Sequence, residues 1–110
     1  MGRNPRSVSI PREFARWLRQ WWPEAEATGN GRPGPDMENT SGVAWEVKTS
    51  GEEKFSAPAA VRQAVKNAGA DLPVVVWFPP GVAEGSPGKV IAMLPVDRLM
   101  KLLTEAGYTP

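Results

Sequence analysis

The 110-residue sequence contains neither cysteine nor histidine. Without thiols there are no disulfide frameworks, zinc-thiolate sites or cysteine nucleophiles, a pattern that fits a reducing compartment. Without imidazole there is no Ser-His-Asp catalysis and no histidine-rich zinc site. Chemistry is left to carboxylates, lysine, arginine, a single tyrosine and any cation these groups bind. Long apolar runs are also missing. No stretch approaches the roughly 18 residues that cross a bilayer, and Met1-Gly-Arg-Asn-Pro lacks the apolar core of a signal peptide. The expectation is a soluble, cytoplasmic protein with no membrane partner.

The length suits one domain with one core. Net charge is only +1, but the positive charge is local: Arg3, Arg6, Arg12, Arg16 and Arg19 face the single acid Glu13 in the first nineteen residues. Residues 1–8 read as a flexible basic arm and residues 9–110 as the domain. Arg3, Arg6, Arg12 and Arg16 are candidate phosphate contacts, against the plainer reading of a solvated tail and a solvated helix face.

Ser9-Ile-Pro-Arg-Glu predicts a helix start with Ser9 as N-cap and Pro11 in the first turn. Phe14, Trp17, Leu18, Trp21 and Trp22 then draw one apolar stripe on a helix that Pro23 should end. Such a stripe reads first as core, and second as a base-stacking surface. Thr28-Gly-Asn-Gly-Arg-Pro-Gly-Pro is a loop. Gly42-Val-Ala-Trp-Glu-Val-Lys-Thr follows as a strand of period two, with Val43, Trp45 and Val47 on one face and Ala44, Glu46 and Lys48 on the other. Ser56 can cap a helix that ends at Gly69. Val74-Val-Val-Trp-Phe reads as a strand covered on both faces. After a Pro/Gly-rich loop at 79–88, Lys89 to Leu94 reads as a further strand, and Val96 to Ala106 as a last helix stopped by Gly107. The element order predicts an α/β fold, a mixed central sheet flanked by helices in the order α-β-β-β-α-β-β-α.

Three residues carry the chemistry. Asp36 follows Pro35, and Glu46 and Lys48 share one face of the next strand. A hard cation such as Mg²⁺ is held by one or two carboxylates plus waters, and it can polarise a phosphate and acidify water. A lysine two positions beyond the glutamate can orient water or stabilise charge growing on a phosphate. The spacing alone also fits a solvated edge strand. The position of these charges in an otherwise apolar strand favours a site or a structural ion pair.

Gly34-Pro-Asp36 followed by Val43-Ala-Trp-Glu-Val-Lys48 resembles the PD-(D/E)xK nuclease superfamily. Over most of residues 12–108 the chain is similar to small Holliday-junction-resolvase-like endonucleases of phages. Further similar features are Ala68-Gly-Ala-Asp71, Gly85-Ser-Pro-Gly88 and Leu102-Leu-Thr-Glu-Ala-Gly-Tyr108. The resemblance implies a restriction-endonuclease-like core, with Mg²⁺ or Mn²⁺ bound by Asp36, Glu46 and the Val47 carbonyl. It further implies that Lys48 is the catalytic lysine, and that Gln63 stands where many members carry an active-site glutamine. Branched DNA is the implied substrate and a homodimer the implied assembly. The chain departs from the family at Phe14-Ala15-Arg16, where members place a glutamate after the aromatic residue. Glu13 is the first candidate to replace it, Glu24 and Glu26 are others, and a site without a third acid is the remaining alternative. Two other functions stay open: a nuclease-fold DNA-binding module with weakened cleavage, and a phage regulatory protein.

Overall fold

The computed structural model describes residues 5–29, 32–81 and 87–110, with residues 5–8 described in backbone only. Helix α1 spans Pro5–Leu18 and so begins four residues before the predicted Ser9 cap. Pro5 takes the first helical position, where a missing N–H costs nothing. Pro11 lies inside the helix, where it removes one backbone donor at a cost of about 3 kcal/mol. The helix runs through it because Ile10, Phe14, Ala15 and Leu18 are each 1% exposed. Burying a large apolar side chain gains roughly 1.5–3 kcal/mol, so this face outweighs the proline. Residues 5–8 are therefore helical, not part of a flexible arm. Residues 1–4, with Arg3, and the side chain of Arg6 lie outside the described residues.

The end of α1 also differs from expectation. The Trp21 and Trp22 N–H groups both reach the Leu18 carbonyl at 2.9 Å, and Arg19 Nε donates to the Ala25 carbonyl at 2.9 Å. The chain turns before Pro23. Trp22 folds back, donating its indole N–H to the Ser41 carbonyl at 3.2 Å, while Trp21 stays 57% exposed and meets Trp17 edge to face. The helical part of the stripe thus ends at Leu18, while Trp22 joins the core from beyond the helix.

Strands β1 (Glu26–Ala27) and β2 (Met37–Glu38) pair antiparallel. Strand β3 (Val43–Lys48), helix α2 (Ala57–Ala68) and strand β4 (Leu72–Trp77) form a unit in which β3 and β4 run parallel, as a helical crossover requires. Ser56 caps α2 by accepting the Ala59 N–H, and Gly69 ends it at φ 58°. Strand β5 (Ile91–Met93) adds antiparallel to β4, giving a mixed sheet of order β3-β4-β5. The strand predicted over Lys89–Leu94 is shortened because Pro87–Lys89 winds into a 3-10 turn. There Gly88 lies so close to Trp17 that a Cβ would meet the indole at 3.0 Å. Helix α3 spans Val96–Glu105. The α/β order matches the one predicted from the sequence.

Period two in β3 and β4 separates two cores. Phe14 of α1 packs edge to face on Trp45 and Phe78, with Val76 and Val47 in the same cluster. On the opposite face Ala60 and Ala64 of α2 pack on Val75, with Phe55, Val61 and Met93 around them. Both faces of β4 are covered, as its continuous apolar run predicts. Glu46 and Lys48 belong to the α2 face. Helix α3 does not flank the sheet in the expected way: it buries none of its residues. Val96, Leu99, Met100 and Leu102 remain at least 38% exposed. A Schellman closure ends it, with Gly107 at φ 85° and the Tyr108 N–H on the Leu103 carbonyl. Among the described residues no helix is long and apolar enough to cross a membrane.

Candidate active site

Asp36 is fixed from both sides of its backbone. Its N–H donates to the Trp45 carbonyl at 2.8 Å, and its carbonyl accepts the Thr28 N–H at 2.8 Å. These bonds lay the loop that follows Pro35 along the free edge of β3. The Asp36 carboxylate then accepts the Val47 N–H at 2.7 Å. Residues along a strand turn their N–H and C=O groups to alternate edges, so Trp45 and Val47 both address Asp36 while their neighbours address β4. The Val47 carbonyl therefore emerges on the Asp36 edge, next to the carboxylate.

Glu46 is only 4% exposed, on the mainly apolar sheet face that α2 covers. The Lys48 ammonium lies 3.5 Å from its carboxylate and donates to Gln63 Oε1 at 2.9 Å. Asn67, one turn after Gln63 on α2, stands near the Glu46 carboxyl and acts to lower its pKa. The helix thus presents two amides, at i and i+4, to the two charged residues of the strand. Asn67 escapes a reading of the strand motif alone; its signal is that it repeats Gln63 on the same α2 face.

Asp36 and Glu46 stand close enough for each to act on the other's carboxyl. Burial pushes the Asp36 carboxyl above its ordinary range, against the opposing effects of the Val47 N–H, Lys48 and Glu46. Burial also raises Glu46, and the charge of Asp36 raises it further, against Lys48 and Asn67. Two half-compensated carboxylates at close range form an electrostatic sink that a hard dication would relieve. The donor set fits such an ion: two carboxylates with a backbone carbonyl beside them, all oxygen.

The structure thus brings together Asp36, Glu46, Val47, Lys48 and Gln63. Among the described residues it does not bring in a third acid. Glu13, Glu24 and Glu26 are all exposed, and no group of three acidic residues gathers among the described residues. Glu13 fails because α1 packs on the opposite sheet face through Phe14 and Leu18. For the same reason the exposed Arg12 and Arg16 ride on the helix that covers the far face. No protein-family model, curated protein or solved structure matches the chain.

Proposed function

We propose that the protein is a metal-dependent endonuclease of the PD-(D/E)xK type that hydrolyses phosphodiester bonds in DNA, with branched DNA as its substrate. The observation that carries this reading is the convergence of a buried carboxylate, Glu46, and a half-buried one, Asp36, with a lysine held 2.9 Å from Gln63. A structural ion pair would need Glu46 and Lys48 alone. It would not need a second, half-buried carboxylate whose charge makes Glu46 harder to ionise.

Mg²⁺ or Mn²⁺ held by Asp36, Glu46 and the Val47 carbonyl would supply Lewis acidity toward the phosphate and the attacking water. Lys48 has three ammonium donors, and Gln63 and Glu46 engage two. The third is available to a phosphate oxygen as water adds to phosphorus and one P–O ester bond breaks, leaving a phosphate monoester and a hydroxyl. Among the described residues no third acid joins the pair, which favours a second reading, a nuclease-fold DNA-binding module with weak cleavage. Incubation with a labelled four-way junction, a flap, a duplex and a single strand, each with Mg²⁺, Mn²⁺ or EDTA, separates the two. Metal-dependent cutting supports the nuclease. Salt-dependent binding without cutting under any condition replaces it with the module.

A homodimer belongs to the same proposal, because symmetrical cutting of two strands of a junction needs two sites. The bare α3 stripe supports it: a free helix of ten residues is marginal in water, and its apolar face gains stability only against a partner. The expected result in sedimentation velocity is a wild-type dimer and a folded monomer for the Leu99→Glu, Met100→Glu double variant. A wild-type monomer at micromolar concentration would remove the dimer from the proposal and leave the site chemistry standing.

A further inference from the structure

A cavity of about 170 Å³ opens beside the Lys48–Gln63 pair, between the end of β3 and the first turns of α2. Its wall carries two ammonium groups, Lys48 and Lys54, the hydroxyl residues Ser50 and Ser56, and the ring of Phe55. No acid lines it. Glu52 and Glu53 precede Lys54 in the same turn but are exposed and stand outside the lining.

The floor of this cavity is fixed. Phe55 stacks flat on Trp77, with ring centroids 4.3 Å apart and planes 8° from parallel. The Trp77 indole donates to the Ser50 carbonyl at 2.8 Å, so one β4 side chain pins both ends of the loop between β3 and α2. Ser56 is held as the α2 cap. The Lys54 side chain, by contrast, is exposed and has no ion pair or hydrogen bond among the described residues. A cation without a structural task thus stands at a preformed concave site whose other cation belongs to the carboxylate cluster.

We infer that this cavity is a subsite for a backbone phosphate of the bound nucleic-acid strand, next to the phosphate placed at Asp36, Glu46 and Lys48, with Lys54 as its charged contact. The inference rests on the nuclease reading and extends it by assigning the path of the strand along the start of α2. Size agrees. With about 30 Å³ per water in the liquid, the space holds roughly five or six waters, enough for a phosphate and part of a sugar. Phe55 offers the sugar an apolar wall, and the partial positive charge at the start of α2 adds to that of the lysines. A strand entering here runs over the α2 face of the sheet, away from Arg12 and Arg16.

The full-length protein, its Lys54→Ala and Lys54→Arg variants, and a Lys101→Ala control on α3 would be titrated with fluorescein-labelled single-stranded and duplex DNA in EDTA over a range of salt concentrations. Lys54→Ala is expected to bind more weakly and to lower the log-log salt slope by about 0.7 on single strands and 0.9 on duplex. Lys54→Arg should restore the slope, and Lys101→Ala should match wild type. A wild-type slope in Lys54→Ala, in a protein that binds and cuts DNA, overturns the subsite and leaves the nuclease reading intact. If wild type neither binds nor cuts DNA, both fall. If it binds and does not cut, and Lys54→Ala lowers the slope, the subsite stands and the nuclease reading fails.

Discussion

Lys48→Ala should lower single-turnover cleavage of a junction substrate by about 10²–10³ while DNA affinity and Mn²⁺ binding remain close to wild type. The ammonium sits between Glu46, at 3.5 Å, and Gln63, at 2.9 Å, so its position is set before substrate arrives. A preorganised charge contributes most where negative charge grows, and this makes its loss a rate effect more than a binding effect. Removing it also leaves Glu46 with one fewer compensating group, so the carboxylate pair becomes still harder to ionise without a cation. Mn²⁺ therefore has no less reason to bind, and calorimetric titration of the variant distinguishes a catalytic lysine from one that builds the metal site. Lys48→Arg keeps the charge but replaces a compact ammonium with a wider planar group, and it should recover only part of the rate. Equal cleavage by wild type and Lys48→Ala would reduce Lys48 to a structural partner of Glu46.

Much of this arrangement is legible in the sequence because period two is a strong signal. Alternation alone places Glu46 and Lys48 on one face of β3 and Trp45 and Val47 on the other, and the two cores follow that division. Ser56 and Gly69 mark α2 to the residue, since a hydroxyl cap and a residue at positive φ have local causes. What escapes is set by tertiary contacts. Ser9 and Pro11 read as the start of a helix, but burial of Ile10 and Phe14 carries the helix through Pro11 from Pro5. Trp21 fits the helical stripe and is nonetheless exposed, because bonds to the Leu18 carbonyl turn the chain one residue too early for the stripe to continue. Strands β1 and β2 are two residues each, too short for any periodicity. Periodicity shows that α3 has an apolar face but not what covers it. In one dimension Glu13 borders the apolar stripe, and only the packing of α1 on the other face of the sheet keeps it from the carboxylate pair. Gln63 and Asn67 are ordinary helix residues in one dimension; the register of α2 over β3 turns them into partners of Lys48 and Glu46.

The carboxylate pair should make the metal-free protein less stable at neutral pH than in mild acid, and divalent metal should reverse this. Asp36 and Glu46 both have folded pKa values above their ordinary values of 3.8 and 4.5, for which burial is the first cause. Between those ordinary values and the raised ones, the folded state binds more protons than the unfolded state, so the slope of unfolding free energy with pH is negative. The pair's contribution to stability is therefore greatest where both groups are protonated, and it is lost as pH rises through the folded values. Thermal melts of the metal-free protein should show this decline over the window just above 4.5. The Asp36→Asn, Glu46→Gln double variant, which keeps the shapes and removes the charges, should lack it and be more stable than wild type at neutral pH by about 0.5–2 kcal/mol, the range common when a functional site is relieved of strain. Mn²⁺ should raise the melting temperature of wild type by mass action and leave the double variant unmoved, because only the charged pair holds the ion. These signs are opposite to those of a stabilising surface ion pair, whose removal lowers stability and whose melting point ignores the metal. Equal Mn²⁺ affinity in the two proteins, or a wild type that gains stability from mild acid to neutral pH, would show that Asp36 and Glu46 are not the metal site.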